Sequence, residues 1–287
     1  MKSTEPLDGF ATQVADGQRF EFGENWTRFL RVLDDERIQE AESSLREMLA
    51  REDLAGLTFL DVGSGSGLFS LAAARLGARR VHSFDFDPSS VACAKELRRR
   101  HGPRGADWTI ERGSALDADY LRSLGRFDLV YAWGVLHHTG DMWRAIGGTA
   151  DAVADEGRLF ISIYNDQGPR SRIWRAVKRA YNALPRALRL PYTLLVTIPR
   201  ELLAALKAVL RGRPQDYVRA WTDYKSARGM SRWHDQVDWV GGYPFEVAAP
   251  EEVFDFVRAR GFTLERLKTC RGGLGCNEFV FARSTSA

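Results

Sequence analysis

The residues best suited to bind a ligand are in positions 59–67, where a short apolar run leads to Asp61 and then to Gly63, Gly65 and Gly67. Glycine reaches backbone angles that other residues avoid, and it leaves no Cβ between the chain and a ligand. The apolar residues that follow predict a helix, whose first N–H groups and positive dipole end would face the turn. This pattern predicts a strand, a tight turn and a helix around a nucleoside-containing cofactor.

A carboxylate further along the chain suits the same ligand. Asp85 ends the apolar segment of residues 80–86 and lies 18 positions beyond Gly67. At the end of a strand, a carboxylate with this spacing would accept hydrogen bonds from both hydroxyls of a ribose. Phe86, next to it, would lie against the adenine ring. The alternative is a solvated loop carboxylate, and the spacing favours the ribose.

Two classes of cofactor are bound by a glycine turn of this kind. A dinucleotide fold needs glycine at the sixth position of the turn, and Leu68 stands there. Residues 61–67 (Asp-Val-Gly-Ser-Gly-Ser-Gly) instead resemble the first motif of class I S-adenosylmethionine-dependent methyltransferases. Residues 127–138, from Phe-Asp-Leu-Val to Leu-His-His, are similar to that family's fourth motif. The resemblance covers residues 57–164 and implies S-adenosylmethionine as the cofactor.

The resemblance also implies which residues bind this cofactor. In the family the glycine turn wraps the methionine part, and the fourth strand opens onto the methyl group. An aspartate after the third strand commonly binds the adenine amino group, but Ser114 stands at its place here. Either Ser114 or Asp117 would make that contact. The candidate cofactor-binding residues are Asp61, Gly63, Ser64, Gly65, Gly67, Asp85, Phe86, Ser114, Ala115 and Trp133.

Histidines are the candidates for the catalytic base. Methyl transfer to a hydroxyl group is helped by removal of its proton, and histidine titrates near neutral pH. His137 and His138 follow the fourth strand, where the family often gives one histidine a structural role. His234, beside Asp235, is the preferred candidate for a substrate-specific base. A capping or hydrogen-bonded structural histidine is the alternative for His234.

Aromatic residues in two segments predict the walls of a substrate site. Phe22 and Trp26 belong to an aromatic-rich stretch that would cover the site as a lid. Residues 230–246 concentrate aromatic and titratable residues without a clean helical or strand period, which is typical of a loop at a site. The candidate substrate contacts are Phe22, Trp26, Tyr164, Asn165, Trp233 and Tyr243.

A metal site is not expected. Asn165 and Asp166 follow the fifth strand, where catechol-type O-methyltransferases place ligands for a divalent ion, and His137 or His138 could complete a site. However, Mg²⁺ prefers all-oxygen ligands and usually needs more carboxylates. We therefore predict no metal.

The elements around these residues predict an α/β fold. The resemblance implies a Rossmann-like seven-stranded sheet, parallel except for an antiparallel C-terminal hairpin, with helices on both faces and an inserted, mostly helical cap. Residues 1–54 would form an N-terminal segment, loosely ordered up to residue 19, and a lid helix. Residues 55–164 would form the cofactor-binding core and residues 165–249 the cap. Residues 250–287 would supply a last helix and the hairpin.

The charge of the chain is unevenly distributed. The net charge is +3, yet residues 165–232 contain 15 Lys and Arg against four Asp and Glu, which leaves −8 for the remainder. The basic insert leaves four interpretations open: solvated helix faces, an acidic substrate, a membrane surface, or RNA. A membrane span is not expected, because arginines and prolines interrupt its apolar runs. Three cysteines and a polar N-terminus without the order of a signal peptide predict a cytoplasmic protein.

The sequence thus predicts a methyltransferase that modifies an O or N atom of a small molecule. An RNA methyltransferase that uses the basic insert is the second interpretation, and a non-catalytic cofactor-binding protein is the third. No oligomeric state is predicted.

Overall fold

A computed structural model describes residues 9–222 and 232–284. Its centre is a seven-stranded sheet with the order β3-β2-β1-β4-β5-β7-β6. The strands are β1 (Thr58–Val62), β2 (Arg80–Asp85), β3 (Trp108–Arg112), β4 (Phe127–Trp133), β5 (Val153–Tyr164), β6 (Phe262–Lys268) and β7 (Cys276–Arg283). Strands β1 to β5 pair in parallel, and β7 runs antiparallel to both β5 and β6. The predicted fold class is confirmed.

Helices cover both faces of the sheet and form the insert. They are α1 (Gly9–Ala15), α2 (Gly23–Phe29), α3 (Asp35–Leu49), α4 (Leu68–Arg75), α5 (Pro88–His101), α6 (Ala118–Ser123), α7 (Met142–Asp151), α8 (Pro169–Ala183), α9 (Arg186–Leu210), α10 (Pro214–Thr222), α11 (Arg232–Gly241) and α12 (Pro250–Arg258). A short 3₁₀ turn, Leu136–His138, follows β4. Within the described ranges, no helix is both long and apolar enough to cross a membrane.

The central strands hold the fold together because both of their faces are buried. All five residues of β1 are buried. Successive side chains of a strand point to opposite faces, so Phe59 packs into one hydrophobic core and Leu60 into the other. Full burial of such a side chain contributes about 2 kcal/mol. The two cores fix the strand ends at which the candidate site residues lie.

Two local predictions were wrong. Residues 9–15, expected to be loosely ordered, form α1, and residues 1–8 lie outside the described residues. Residues 232–241, expected to be a loop, form α11, in which Val240 packs against Phe20 and Tyr181. Helix α9 continues through Pro191 and Pro199, which interrupt the apolar run but not the helix. Both prolines are exposed, so water can solvate the carbonyl groups that they leave without a helical partner.

Candidate active site

A cavity of about 860 Å³ lies at the carboxyl ends of β1, β2, β4 and β5. The strand order reverses between β1 and β4, which is where open α/β sheets bind their ligands. The N-terminal segment and helices α9 to α11 complete its walls. Small-molecule sites span roughly 300–1,000 Å³, so this cavity has room for more than one small ligand.

The glycine turn after β1 forms one wall of the cavity. Gly63 and Gly65 line it, with φ angles of 71° and 53°. A Cβ on Gly63 would lie 2.1 Å from a methyl carbon of Val135, and one on Gly65 would lie 3.0 Å from the Trp26 ring. Gly67 has a φ of 81°, but it packs α4 against Ala94 of α5 and does not line the cavity. The turn therefore brings bare backbone to the cavity at its first two glycines.

Asp85 fixes the turn from the end of β2. One carboxylate oxygen accepts a hydrogen bond from the N–H of Gly65 and the other from the N–H of Asp87, both at 2.9 Å. Each oxygen can accept a further hydrogen bond, and the side chain lines the cavity. Burial raises the pKa of Asp85 to about 6, so this acceptor is ionised above that pH.

Asp61 supports the turn from below and does not line the cavity. Its carboxylate accepts a hydrogen bond from Ser70 at 2.5 Å, Ser83 donates to Ser70 at 2.7 Å, and the indole N–H of Trp108 donates to Ser83 at 2.7 Å. This chain links β1, α4, β2 and β3. Burial raises the pKa of Asp61 to about 7. The predicted cofactor contact is thus replaced by a structural role beneath the glycines.

The remaining candidate cofactor residues divide between the cavity and its surroundings. Phe86 lines the cavity with the Arg19 guanidinium 4.9 Å from its ring centre. Ser114, Ala115 and the partly exposed Trp133 line it as well. Asp117, the alternative to Ser114, instead caps α6 by accepting hydrogen bonds from the N–H groups of residues 119 and 120. Ser64 does not line the cavity, and its buried hydroxyl has no hydrogen-bond partner among the described residues.

The two histidines after β4 lie in different surroundings. His137 is fully buried, its Nδ1 accepts a hydrogen bond from the N–H of Tyr164 at 3.3 Å, and it does not line the cavity. His138 lines the cavity, and its Nδ1 lies 2.6 Å from the carbonyl oxygen of Pro244. Nδ1 therefore donates, which leaves Nε2 as an acceptor. Burial lowers the pKa of His138 to about 3 and that of His137 well below its ordinary value, so both rings are neutral near pH 7.

The other predicted catalytic residues, His234 and Asp235, belong to α11, but their side chains lie outside the described residues. Their catalytic role stays a prediction.

Half of the predicted substrate contacts line the cavity. Phe22, Trp26 and Tyr164 do so. Asn165 instead accepts a hydrogen bond from the side chain of Asn277 at 3.0 Å. Trp233 and Tyr243 are partly buried and do not line the cavity. The aromatic-rich N-terminal segment therefore faces the cavity, as the lid interpretation expected.

Sequence reasoning missed several residues around the cavity, chiefly in the insert. Trp239, Asp238, Arg200 and Arg219 line the cavity. Lys178 of α8 is fully buried behind them, where it donates to the carbonyl oxygen of Trp239.

The spacing of residues in α8 indicates that Lys178 is buried. It is four residues after Trp174 and three before Tyr181, so helical spacing places it on the apolar face. Its ammonium nitrogen lies 4.6 Å from the ring centre of Trp239 and 4.9 Å from that of Phe245. Burial lowers its pKa to about 7, and Asp238 opposes the shift.

No group of three or more metal-ligating side chains occurs within residues 9–222 and 232–284. The Asp166 carboxylate, considered as a ligand, accepts a hydrogen bond from the N–H of Gly168 at 2.9 Å.

Comparison with known proteins finds a methyltransferase domain within the chain. Residues 60–159 match the family model of the methyltransferase domain. A ubiquinone biosynthesis O-methyltransferase of Xanthomonas oryzae pv. oryzae is 36% identical over 116 residues, which are 40% of this chain and 46% of that protein. A ribosomal protein L11 methyltransferase of Anoxybacillus flavithermus is 36% identical over 95 residues, which are 29% of this chain and 30% of that protein. The chain spans less than half the length of these relatives.

Solved structures share the fold over most of the chain. Magnesium protoporphyrin IX methyltransferase from Synechocystis PCC 6803, with bound S-adenosylhomocysteine, has a TM-score of 0.55 at 17% identity and covers 96% of this chain and 100% of its own. The [4+2]-cyclase SpnF has a TM-score of 0.52 at 13% identity, over 87% of this chain and 81% of its own. The motifs and the sheet order around the matched domain are those of class I S-adenosylmethionine-dependent methyltransferases.

Proposed function

We propose that this protein transfers a methyl group from S-adenosylmethionine to an O or N atom of a small molecule. The proposal is carried by the composition of the cavity wall. One part is formed by the glycine turn and Asp85, and another by Tyr164, Asp238 and Trp239, which lie on β5 and the insert. A cofactor and an acceptor would share this one space, in which water is excluded and the reacting atoms are held close together.

The core residues would hold the cofactor. Asp85 would accept hydrogen bonds from the ribose hydroxyls, because its oxygens keep free acceptor positions beside the glycine turn. Phe86 and Ser114 would border the adenine, and Trp133 would border the methyl end. When bound, the cofactor would supply an electrophilic methyl group on a sulfonium sulfur; in-line attack by the acceptor on the methyl carbon would break the C–S bond and release S-adenosylhomocysteine. The chain's own part is to align the acceptor with that methyl group.

The insert, β5 and the N-terminal segment would hold the acceptor. Trp239, Tyr164 and Phe22 offer aromatic faces that pack on a flat, apolar molecule. Arg200 and Arg219 share this wall with Glu201, Asp216 and Asp238, so it offers charged groups of both signs to a polar substituent of the acceptor. This part of the wall lies outside the matched family model.

We assign His138 an orienting role, because a group with a pKa of about 3 is a weak base near neutral pH. Its Nε2 can accept a hydrogen bond from the acceptor's hydroxyl or amine. The carboxylate of Asp238 also lines the wall and accepts a hydrogen bond from the amide group of Asn25. His234 remains the sequence-based candidate for the catalytic base.

Titration with S-adenosylhomocysteine by calorimetry tests the cofactor site. We expect the wild type to bind, and Asp85→Ala to weaken binding about 100-fold or more, since it removes a charged acceptor of two hydrogen bonds. Asp117→Ala is the matched control, because it removes a cap outside the cavity at a cost of about 1 kcal/mol and should leave binding unchanged. Absence of heat with folded wild type would contradict the cofactor assignment.

Methyl transfer itself must be measured, because a [4+2]-cyclase has the same fold. Incubation with methyl-labelled S-adenosylmethionine and a panel of phenolic and amino-substituted aromatic acids should transfer label to a small molecule. Label transferred only to RNA, with binding that weakens steeply as salt rises, would support the RNA interpretation instead. Cofactor binding without transfer to either class would favour a non-catalytic protein.

A further inference from the structure

Helix α9 has an exposed apolar stripe along its length. The exposed fraction is 71% for Leu195, 65% for Leu202 and 59% for Val209. From Leu195 onward the members recur three or four residues apart, which is helical spacing, and Leu188 lies seven residues before Leu195; they are Leu188, Leu195, Ile198, Leu202, Leu206 and Val209. The stripe is about 30 Å long at 1.5 Å per residue. A contiguous apolar surface of this length on a water-soluble domain indicates an interaction site.

The packing of α9 holds this stripe outward. Thr193 and Thr197 are buried on the inner side, and Thr197 lines the cavity. Glu201 accepts hydrogen bonds from Tyr217 of α10 and Gln236 of α11. Because these contacts fix the rotation of the helix, the stripe cannot turn inward without breaking them.

The charges around the stripe are almost all positive. Residues 165–222 contain 12 Arg and Lys against three Asp and Glu. Exposed cations lie towards the two ends of α9, namely Arg186 at the start and Lys207 and Arg211 at the end. The one acidic residue of α9 is Glu201, which is engaged in the hydrogen bonds above.

Helix α10 has two further exposed apolar residues, Val218 and Trp221, which are 58% and 39% exposed, and the indole N–H of Trp221 donates a hydrogen bond to Glu201 at 3.2 Å. Tryptophan is favoured at the boundary between water and membrane.

We propose that α9 lies along the surface of an anionic phospholipid bilayer, with the stripe inserted at the level of the headgroups. An apolar helix face, cations within a Debye length and an exposed tryptophan are the features of an interfacial helix. A second copy of the chain fits less well, because stripe-to-stripe packing would bring together two inserts that each carry 12 Arg and Lys against three Asp and Glu over residues 165–222. Exposed prolines within the helix also suit the wet interface, where water reaches the freed carbonyl groups.

Flotation of the full chain with lipid vesicles tests the proposal. We expect binding to phosphatidylcholine vesicles that contain about a third phosphatidylglycerol, and weaker binding to pure phosphatidylcholine. The double variant Leu195→Glu with Leu202→Glu should bind at least about ten-fold more weakly, because it places two charges in the inserted stripe. Lys207→Gln with Arg211→Gln should lose about five-fold per cation on anionic vesicles only.

Val32→Glu with Leu267→Glu is the matched control. It adds the same two charges at apolar positions that are 49% and 43% exposed and lie outside α9, and it should bind vesicles like the wild type. Affinity for S-adenosylhomocysteine, measured without vesicles, should stay unchanged in every variant, so failure of membrane binding is distinguishable from failure of the cofactor site.

Three results would overturn the proposal. The first is that the wild type does not bind anionic vesicles. The second is that the Leu195→Glu and Leu202→Glu double variant binds them as tightly as the wild type. The third is that the wild type forms a dimer and binds no vesicles, and that this double variant is a monomer. The last result would assign the stripe to a second copy of the chain.

Discussion

The amine of Lys178 lies in surroundings that favour its neutral form. It is fully buried among aromatic rings, and its pKa falls from an ordinary 10.5 to about 7. The unfolded chain keeps this lysine charged up to the ordinary pKa. Folding therefore releases a proton between pH 7 and 10.5, and the free energy of unfolding rises with pH across that window. Below pH 7 Lys178 is charged in both the folded and the unfolded chain, so the free energy of unfolding gains nothing from this group.

Lys178→Met should remove this pH dependence, because methionine fills a similar volume without a charge. We expect the wild type to gain on the order of 2 kcal/mol between pH 7 and pH 9 from this group, and the variant to lack that gain. Urea unfolding at the two pH values measures the difference. Lys207→Met, at an exposed position of α9, should keep the wild-type gain. Equal gains in wild type and Lys178→Met would show that the lysine stays charged when buried.

Residues of the core were more predictable than residues of the insert. The distance from the glycine turn to Asp85 is fixed by one helix and one strand, so spacing alone placed this carboxylate beside the turn. Asp61 was misplaced because motif position does not reveal a side chain's direction, and the chain through Ser70 turns it away from the cavity. Lys178 is one of many basic residues of the insert, and composition alone does not separate it from the exposed ones. Its burial depends on Trp239 of α11, whose residues lack a clean helical period in the sequence.

The turn between β1 and α4 depends on a close contact between two distant segments. Gly63 has a positive φ, and its α-carbon faces Val135, which follows β4. The neighbouring strands β1 and β4 hold these two positions in register. This contact explains the glycine in steric terms, independently of any bound ligand.

Gly63→Ala should destabilise the protein by about 3 kcal/mol or more, since overpacking and a strained φ both contribute. Val135→Ala removes the opposing methyl groups at a cost of about 1–2 kcal/mol. The double variant should lose less than the sum of the two, with a coupling of at least about 1 kcal/mol. Denaturant unfolding measures the stability of all three variants.

Gly56→Ala is the control for the backbone alone, because the φ of Gly56 is 77° and a Cβ there would meet nothing within 4 Å. This variant should lose about 1 kcal/mol of stability. Additive losses would contradict the steric account.

At the scale of the whole molecule, the cavity is roofed by two segments that are far apart in sequence. The amide group of Asn25 in α2 donates a hydrogen bond to the carboxylate of Asp238 in α11. The N–H of Phe20 donates to the carbonyl oxygen of Tyr243 at 2.8 Å. Both segments lie outside the matched methyltransferase domain. That domain forms the part of the cavity wall that contains the glycine turn and Asp85. We expect a bound ligand to leave faster when these hydrogen bonds are broken.

The hydrogen bond between Asn25 and Asp238 can be tested by exchanging the two residue types. Asn25→Asp places a second carboxylate against Asp238, and like charges at contact cost about 1–3 kcal/mol. The roof should then open more often, and S-adenosylhomocysteine should dissociate about ten-fold faster or more in stopped-flow displacement. The double variant Asn25→Asp with Asp238→Asn restores one amide and one carboxylate on exchanged sides, and it should recover the slow dissociation rate.

Because a carboxylate pair shares a proton at low pH, the faster dissociation from Asn25→Asp should return towards the wild-type rate as the pH falls. Dissociation at the wild-type rate in Asn25→Asp, or the lack of recovery in the double variant, would show that this pair does not hold the roof closed.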